Sequence, residues 1–457
     1  MASTVFDSLL FRDMFGTSAM RYIFSDEELV RSYLGVETAL ARAQAKAGIV
    51  PADAADRICN SAKNMEIDWE RLRKESDIVG YPILPLVRQL SEVSGEAGRY
   101  VHWGATTQDI MDTATVLQLR KAFSLVQIDL SELSRILVGI SARYRDVPLA
   151  GRTHLQHALP VTFGFKAAVW LSSINRHKQR LSELLPRVLV GQYSGAAGTL
   201  ASLGQDGLLV QKLFCEELQL AQPDITWHVA RDGIAEAISF LGLVTGSLGK
   251  IATDVMIMAS TEFGEVAEPF VLHRGASSTM PQKRNPISSE LMLAAAKSVR
   301  QHVATILDGM IHDFERATGP WHLEWLSIPE SFLLTSSSLA NAKFMLAGLC
   351  VDEKRMRSNL DLSGGLIVAE AIMMALAPTL GRQIAHDRVY DACTHAFNDR
   401  RPLVDVLLQD PEIVAAVGGR DELIDLCDPV NYLGQAGEMV NRLLATVSST
   451  ENTKKAS

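Results

Sequence analysis

Apolar residues recur along most of the chain with the spacing of one face of a helix. Between residues 26 and 47 they repeat every three to four positions, and Ser25 directly before them is a suitable N-cap. This stripe consists of Leu29, Tyr33, Val36, Leu40, Ala43 and Ala47. Alternating strand patterns are scarce by comparison. The pattern therefore predicts an all-α protein.

Five further periodic segments are longer than the average globular helix of about 11 to 12 residues. They cover residues 113–144, 160–185, 233–267, 286–312 and 329–349. Several long helices in one chain predict a helix bundle. We divide the chain into an N-terminal helical domain (1–112), a central long-helix bundle (113–355) and a C-terminal helical domain (356–457). The turn-rich stretches between the helices, 147–157, 191–207 and 273–285 among them, are where we look for chemistry.

Composition narrows the class of partner. The 457 residues are 47% hydrophobic and 21% charged, which is typical of soluble globular proteins, and their net charge is −9. Apart from Lys454 and Lys455 in the tail, no run of Lys and Arg stands out along the chain. The sequence therefore predicts neither nucleic acid nor an anionic membrane as a partner. An anionic substrate would have to meet a local positive pocket.

The N-terminal residues mix Asp7, Arg12 and Asp13 with apolar side chains, which differs from a signal peptide and predicts a cytoplasmic protein. The most apolar stretch, 234–260, contains charged residues and is more typical of a buried bundle helix than of a membrane span. The five cysteines are widely spaced and form no C-x-x-C pair, so neither a disulfide framework nor a zinc site is indicated. The stretch 191–207 contains neither G-x-G-x-x-G nor a P-loop, and we expect no cofactor.

One loop combines small, polar and basic residues before a helix. It runs from Gly275 to Pro286, with Asn285 as a possible N-cap and Pro286 as a possible first helical residue. Lys283 and Arg284 would lie beside helix N–H groups that favour anions, so a carboxylate or phosphate could bind there. The alternative is an ordinary surface loop that caps a helix.

Two other polar segments precede predicted helices. In the segment 151–157, His154 has possible hydrogen-bond donors on both sides, namely Arg152, Thr153 and Gln156. His154 and His157 lack an H-E-x-x-H pattern or a nearby carboxylate cluster, so a metal site is the weaker alternative to a structural histidine, and we expect no metal. The segment 101–109 contains His102, Thr106 and Thr107, and its simplest function is to cap a helix through Thr107 or Asp109.

Together these segments resemble the fumarase/aspartase superfamily. Val101–Asp112 is similar to its first region, Gly151–His157 to its histidine region and Ser277–Asn285 to its signature loop, in the right order on a helical chain of suitable length. Further stretches at 245–250, 262–269 and 431–436 are most similar to the subgroup of 3-carboxy-cis,cis-muconate cycloisomerase and adenylosuccinate lyase. The resemblance implies three helical domains, a homotetramer with a twenty-helix core, active sites shared between subunits and a small polycarboxylate substrate.

The resemblance also implies a chemistry and a set of roles. A proton is removed next to a carboxylate and a group leaves the neighbouring carbon, usually with release of fumarate. Ser277 matches the general base, His154 the residue that protonates the leaving group, and Glu290 the glutamate that orients this histidine. The residues matched to substrate binding are His102 on the leaving-group side, Thr106, Thr107, Thr153, Gln156, Ser278, Lys283 and Asn285. Lys283 and Asn285 would stabilise the doubly charged aci-carboxylate.

Four kinds of superfamily member remain as alternatives, of which three are enzymes and one is a protein without catalytic activity. Many of the cycloisomerases have an apolar or aromatic residue where this chain has His154, which favours a C–N lyase that acts on an N-substituted aspartate such as iminodisuccinate. The muconate cycloisomerase is the second candidate. Adenylosuccinate lyase is weaker, because its Arg-His-Asp-Val stretch has no counterpart at 77–83. A non-catalytic, crystallin-like member is disfavoured by the intact Ser277 and His154.

Overall fold

A computed structural model describes residues 3–316 and 318–456 of the chain, with side chains up to residue 447. The chain is all-α, as predicted from the periodicity. The α-helices are α1 (Ser18–Ile23), α2 (Asp26–Lys46), α3 (Ala52–Asn64), α4 (Trp69–Val79), α5 (Ile83–Val93), α6 (Thr107–Arg143), α7 (Phe163–Val188), α8 (Gly207–Leu218), α9 (Asp232–Met258), α10 (Ile287–Asp308), α11 (His322–Ala347), α12 (Glu353–Leu360), α13 (Ala369–Leu380), α14 (Arg382–Asp399), α15 (Leu403–Leu407), α16 (Pro411–Ala416), α17 (Arg420–Leu426) and α18 (Ala436–Ala456).

Helix α2 shows how the sequence pattern becomes structure. The Ser25 hydroxyl accepts a hydrogen bond from the N–H of Glu28, which confirms Ser25 as the N-cap. Of the predicted stripe, Tyr33, Val36, Leu40 and Ala43 are buried. The helix is therefore held by a capped start and by one apolar face packed in the core.

The five predicted long helices correspond to α6, α7, α9, α10 and α11. The segment predicted to continue to residue 267 ends earlier, because α9 stops at Met258. Gly264 adopts a φ of 59°, which is incompatible with a continuing right-handed helix, and the chain then enters a short strand. Pro329, predicted as the start of the last segment, lies inside α11 instead.

Two small antiparallel sheets interrupt the helices. Strand β1 (Pro148–Thr153) pairs with β2 (Gln156–Thr162), and β3 (Val266–Ala267) pairs with β4 (Cys350–Val351). The first pair corrects the prediction of a turn at 147–157 followed by a helix from Pro160, because Pro160 lies within β2 and α7 begins only at Phe163. Pro160 lacks an N–H donor but is tolerated in this two-stranded hairpin, where each strand has a free edge.

The chain forms two compact units. The first comprises Met1–Leu130, His177–Gly249 and Leu291–Ala340. Its core includes Phe123, whose ring centre lies 5.0 Å from that of Phe332 and 6.0 Å from that of Phe240. Such edge-on aromatic contacts add to the free energy gained from burial.

The second unit comprises Ser131–Arg176, Lys250–Glu290 and Asn341–Ser457. Its core is formed largely by the helices α12 to α17, with buried side chains such as Leu360, Ile372, Leu376 and Leu407. The three-domain division made from the sequence stays a prediction.

Helix α9 is long and apolar enough to cross a membrane by length and composition alone. Within the chain, however, 61% of its most apolar window is buried, as in the core helix of a bundle.

Candidate active site

The loop 275–285 lies in the second unit and is closed at its base by backbone contacts. The N–H of Asn285 donates to the carbonyl oxygen of Gly275 at 3.0 Å, and Ala276 forms an antiparallel bridge with Arg284. Gly275 has a φ of 67°, and a Cβ there would lie 2.5 Å from the carbonyl oxygen of Asn285. Only glycine therefore allows the two ends of the loop to approach so closely.

Ser277 begins the turn of this loop. Its Oγ accepts hydrogen bonds from the N–H groups of Met280 at 3.0 Å and Thr279 at 3.3 Å. Ser277 is half-buried, whereas Ser278 is exposed. Two backbone donors directed at one hydroxyl oxygen stabilise negative charge on it, which is the property that a serine base requires.

The N-terminus of α10 differs from the prediction of Asn285 as N-cap and Pro286 as the first helical residue. Helix α10 begins at Ile287, and the carboxylate of Glu268 accepts hydrogen bonds from the N–H groups of Ser288 at 3.1 Å and Ser289 at 2.8 Å. The Ser289 hydroxyl donates to the same carboxylate. The helix N–H groups expected to bind a substrate anion are therefore already bound by an internal one. The sequence offers no local signal for this contact, because Glu268 precedes its partners by about twenty residues.

A cavity of about 750 Å³ borders the loop. Three cations line it, namely Arg274, Lys283 and Arg284, and none of them forms an ion pair among the residues that the structure describes. The guanidinium of Arg284 lies 4.6 Å from the centre of the Phe270 ring. Glu268 is the one carboxylate in the lining, and it is engaged with α10. The cavity is thus the local positive pocket that an anionic substrate needs.

His154 lies at the tip of the β1–β2 hairpin. His154 and Leu155 form its two-residue turn with φ values of 53° and 62°, as a type I′ turn requires. Thr153 and Gln156 face each other at the ends of the strands, and all four residues are exposed. The structure therefore brings three of the predicted site residues together at one exposed tip.

Glu290 lies exposed in the first turn of α10. Within residues 3–316 and 318–456 its side chain forms no hydrogen bond with His154. The orienting contact between the two residues stays a prediction.

Arg152 does not serve as a free donor beside His154. Its guanidinium binds the buried Glu265 through two hydrogen bonds, of 2.6 and 3.0 Å, and lies 4.4 Å from the centre of the Phe263 ring. Asn359 donates to the same carboxylate at 2.8 Å. Arg152 therefore supports the hairpin, through partners too distant in sequence for local spacing to indicate.

The polar segment 101–112 lies in the first unit. Helix α6 begins at Thr107, and the carboxylate of Asp109 reaches back to the N–H of Thr106 at 3.0 Å. Thr106 therefore occupies the N-cap position, which corrects the prediction of Thr107 or Asp109. The fully buried Asp109 also accepts from the N–H groups of Ser194 and Gly195 and contacts His228 Nε2 at 2.8 Å.

His102 lies in the same segment, with Nδ1 2.6 Å from a carboxylate oxygen of the buried Glu37. Burial alone would lower the pKa of His102, but the charge of Glu37 and the hydrogen bond to it outweigh burial and raise the pKa. Thr106 and Thr107 are half-buried nearby in sequence. The side chain of His102 is thus fixed by an internal carboxylate.

In the described part of the chain, no cluster of three or more His, Cys, Asp or Glu side chains could hold a metal ion. His157 is half-buried, and burial together with the charge of Arg152 lowers its pKa.

Comparison with known proteins supplies the class. Residues 14–300 match the family described as lyase, and residues 365–443 match the adenylosuccinate lyase C-terminus. The chain is 49% identical over 438 residues to trans-aconitate decarboxylase 1 from Mycosarcoma maydis, which covers 96% of this chain and 89% of that protein. It is 46% identical over 440 residues to 3-carboxy-cis,cis-muconate cycloisomerase from Pseudomonas aeruginosa, covering 95% and 96% of the two chains.

A solved structure of fumarate lyase from Mesorhizobium sp. BNC1 is 55% identical, with a TM-score of 0.90 and coverage of 94% and 98%. The protein is therefore an enzyme of the lyase class. It belongs to the fumarase/aspartase superfamily, and the resemblance seen in its motifs is confirmed.

Proposed function

We propose that this enzyme is a C–N lyase that cleaves an N-substituted aspartate, such as iminodisuccinate, to fumarate and an amine. The observation that carries a polycarboxylate substrate is the cavity beside the Ser277 loop, whose three cations have no acidic partner in the described part of the chain. A substrate with several carboxylates supplies the missing negative charge. The presence of His154, which can protonate an amine leaving group, favours the C–N lyase among enzymes with such substrates.

In the proposed reaction Ser277, as an alkoxide, removes a proton from the carbon next to a carboxylate. Thr279 and Met280 support this alkoxide through their N–H groups. The electron pair of the broken C–H bond passes into an aci-carboxylate that Lys283 and Asn285 stabilise. As the carbanion collapses to fumarate, the neighbouring C–N bond breaks and His154, oriented by Glu290, gives the leaving nitrogen a proton.

The remaining polar residues would hold the substrate. Thr106, Thr107, Thr153, Gln156 and Ser278 are suited to donate to its carboxylates, with His102 on the leaving-group side. No cofactor or metal takes part in this scheme.

We propose a homotetramer in the cytoplasm, with each site built from several subunits. The exposed hairpin tip and the exposed Glu290 support this arrangement, because a second subunit would supply the partners that they lack in the described residues of one chain.

The second candidate is 3-carboxy-cis,cis-muconate cycloisomerase. It is favoured by the 46% identity to the Pseudomonas aeruginosa enzyme over nearly the whole chain. The cation-lined cavity would accept its tricarboxylate substrate equally well, so the two candidates differ in the role of His154 rather than in anion binding.

The test is a substrate panel given to the purified enzyme, with fumarate followed by its ultraviolet absorbance. The panel contains iminodisuccinate, argininosuccinate, adenylosuccinate, 3-carboxymuconate and trans-aconitate. We expect fumarate from iminodisuccinate or another N-substituted aspartate. Lactone formation from 3-carboxymuconate, or carbon dioxide from trans-aconitate, without fumarate from any aspartate would contradict the C–N lyase.

A further inference from the structure

Arg274 has no role in the scheme above, yet it lines the same cavity. It follows His273, which adopts a φ of 64°, and directly precedes Gly275 at the base of the Ser277 loop. Unlike Lys283 and Arg284, which are exposed on the loop, Arg274 is half-buried.

The guanidinium of Arg274 is fixed by neutral groups. It lies 4.4 Å from the centre of the Phe344 ring. Its Nη2 donates to Ser288 Oγ at 2.7 Å and to Asn341 Oδ1 at 3.3 Å. These contacts hold the position of the side chain, but they supply no negative charge to balance it.

Other donors of Arg274 remain unsatisfied. Its Nε is buried without a hydrogen-bond partner, and the side-chain hydrogen bonds of Arg274 to the described residues all come from Nη2, so Nη1 donates to none of them. A buried donor without a partner costs about 1 to 3 kcal/mol. Glu268, the carboxylate in the cavity lining, is bound to Ser288 and Ser289 instead. The protein thus keeps a pre-positioned guanidinium and leaves its charge for a ligand.

We propose that Arg274 binds a third substrate carboxylate, which belongs to the departing half and is additional to the two carboxylates of the half that becomes fumarate. The site would then select polycarboxylates whose departing half has a carboxylate of its own. This inference rests on the proposed function and specifies its substrate class. Nη2 is engaged with Ser288 and Asn341, so Nη1 is the donor left for the ligand, and the fixed position of the permanently charged guanidinium makes it selective.

The first experiment compares two substrates of the wild type and of Arg274→Gln. Iminodisuccinate loses aspartate, which has two carboxylates, whereas N-butylaspartate loses an alkyl amine that has none. We expect Arg274→Gln to lower kcat/KM for iminodisuccinate about 10- to 100-fold, mainly through KM, the range of a lost hydrogen bond to a charged group. The loss for N-butylaspartate is expected to stay below about threefold, because the departing half has no carboxylate. Arg274→Lys should recover part of the preference, since it keeps the charge.

Two matched variants separate recognition from structure. Ser288→Ala removes an acceptor that holds the guanidinium but keeps the guanidinium itself. Arg355→Gln removes an exposed arginine of the same unit, which donates to the carbonyl oxygens of Glu262 and Phe263. Both should leave the ratio of the two kcat/KM values unchanged. An equal loss for both substrates in Arg274→Gln, or a wild type without preference for iminodisuccinate, would overturn the proposal.

A binding measurement keeps the inference testable if no aspartate derivative is a substrate. Calorimetry on the wild type should show tighter binding of tricarballylate, with three carboxylates, than of succinate, with two, by about tenfold or more. Arg274→Gln should lose this difference. Equal affinities in the wild type would contradict the role of Arg274, whereas the difference without fumarate release would contradict only the C–N lyase.

Discussion

The segment 101–112 and the loop 275–285 are both polar turns before a helix, but they differ in how their charges are satisfied. In the first, the buried Asp109 is contacted by three backbone N–H groups and by His228, and His102 is bound to Glu37. In the second, Lys283 and Arg284 form no ion pair among the described residues, and Ser277 accepts only from its own loop. Two polar turns in similar positions thus differ in whether their charged side chains have partners within the described residues.

The difference indicates which groups are available to a ligand. Removing the partner of a buried charged group destabilises the fold, because it leaves the remaining charge uncompensated. A charged group without a partner favours binding, because the ligand supplies the missing charge. The same contrast separates Arg152, whose charge is paired with Glu265, from Arg274, which has no carboxylate partner among the described residues.

The strongest test of the loop is Ser277→Ala. We expect kcat to fall by about 10³- to 10⁴-fold, since the variant lacks the proposed base, while the unfolding midpoint stays near that of the wild type. The matched control is Thr279→Ala, which keeps the backbone N–H that Ser277 accepts. A kcat of Ser277→Ala close to that of the control would contradict the assignment of the base.

Mixing two inactive variants tests whether the exposed hairpin tip and the loop act in different subunits. Ser277→Ala and His154→Ala, dissociated and reassembled together, should recover about a quarter of the wild-type activity. If Ser277 and His154 of one site come from two different chains, each chain carries the intact residue in half of the cases. Random assortment therefore leaves about a quarter of the sites with both residues intact. Separately reassembled variants are the control. If the mixture stays as inactive as each variant alone while mixed oligomers form, the two residues act within one chain.

The segment 101–112 predicts an effect on stability. Asp109→Ala removes the acceptor of three backbone N–H groups and the partner of the buried His228. We expect the free energy of unfolding to fall by about 3 to 5 kcal/mol, measured by denaturant titration. The exposed Asp53, paired with Arg57 at 3.4 Å, provides the control Asp53→Ala, with a loss below about 1 kcal/mol. Equal losses of unfolding free energy in the two variants would contradict the conclusion that the internal partners of Asp109 stabilise this segment.

His102 predicts the smallest effect, in the pH dependence of stability. Its folded pKa is raised, so the contact with Glu37 contributes fully below the unfolded pKa and is lost as the pH rises through the folded value. The free energy of unfolding of the wild type should therefore exceed that of Glu37→Gln, and this difference should be about 1 kcal/mol larger at pH 5.5 than at pH 9. Denaturant titrations at both values check this. A constant difference between the two proteins would mean that His102 does not titrate against Glu37.

The helices could be predicted from the sequence because each has its own apolar periodicity, but the hairpin at 148–162 could not. A two-residue turn with positive φ values is usually marked by Asn-Gly or Asp-Gly, and here it consists of His154 and Leu155. Residue types in the candidate site could be predicted from their motifs. Which of these residues already have internal hydrogen-bond or ion-pair partners could not be predicted, because Glu268, Glu265 and Asn359 are contributed by other segments of the chain.

The hydrogen bonds from Ser288 and Ser289 to Glu268 have an evolutionary consequence. Backbone N–H groups are the same whatever the side chain, so an anion site built from them would hardly change with the sequence. Because Glu268 takes that position, the cavity relies on side-chain cations that a single codon change can replace. Substrate preference can therefore diverge among descendants of this enzyme while the start of α10 is inherited unchanged.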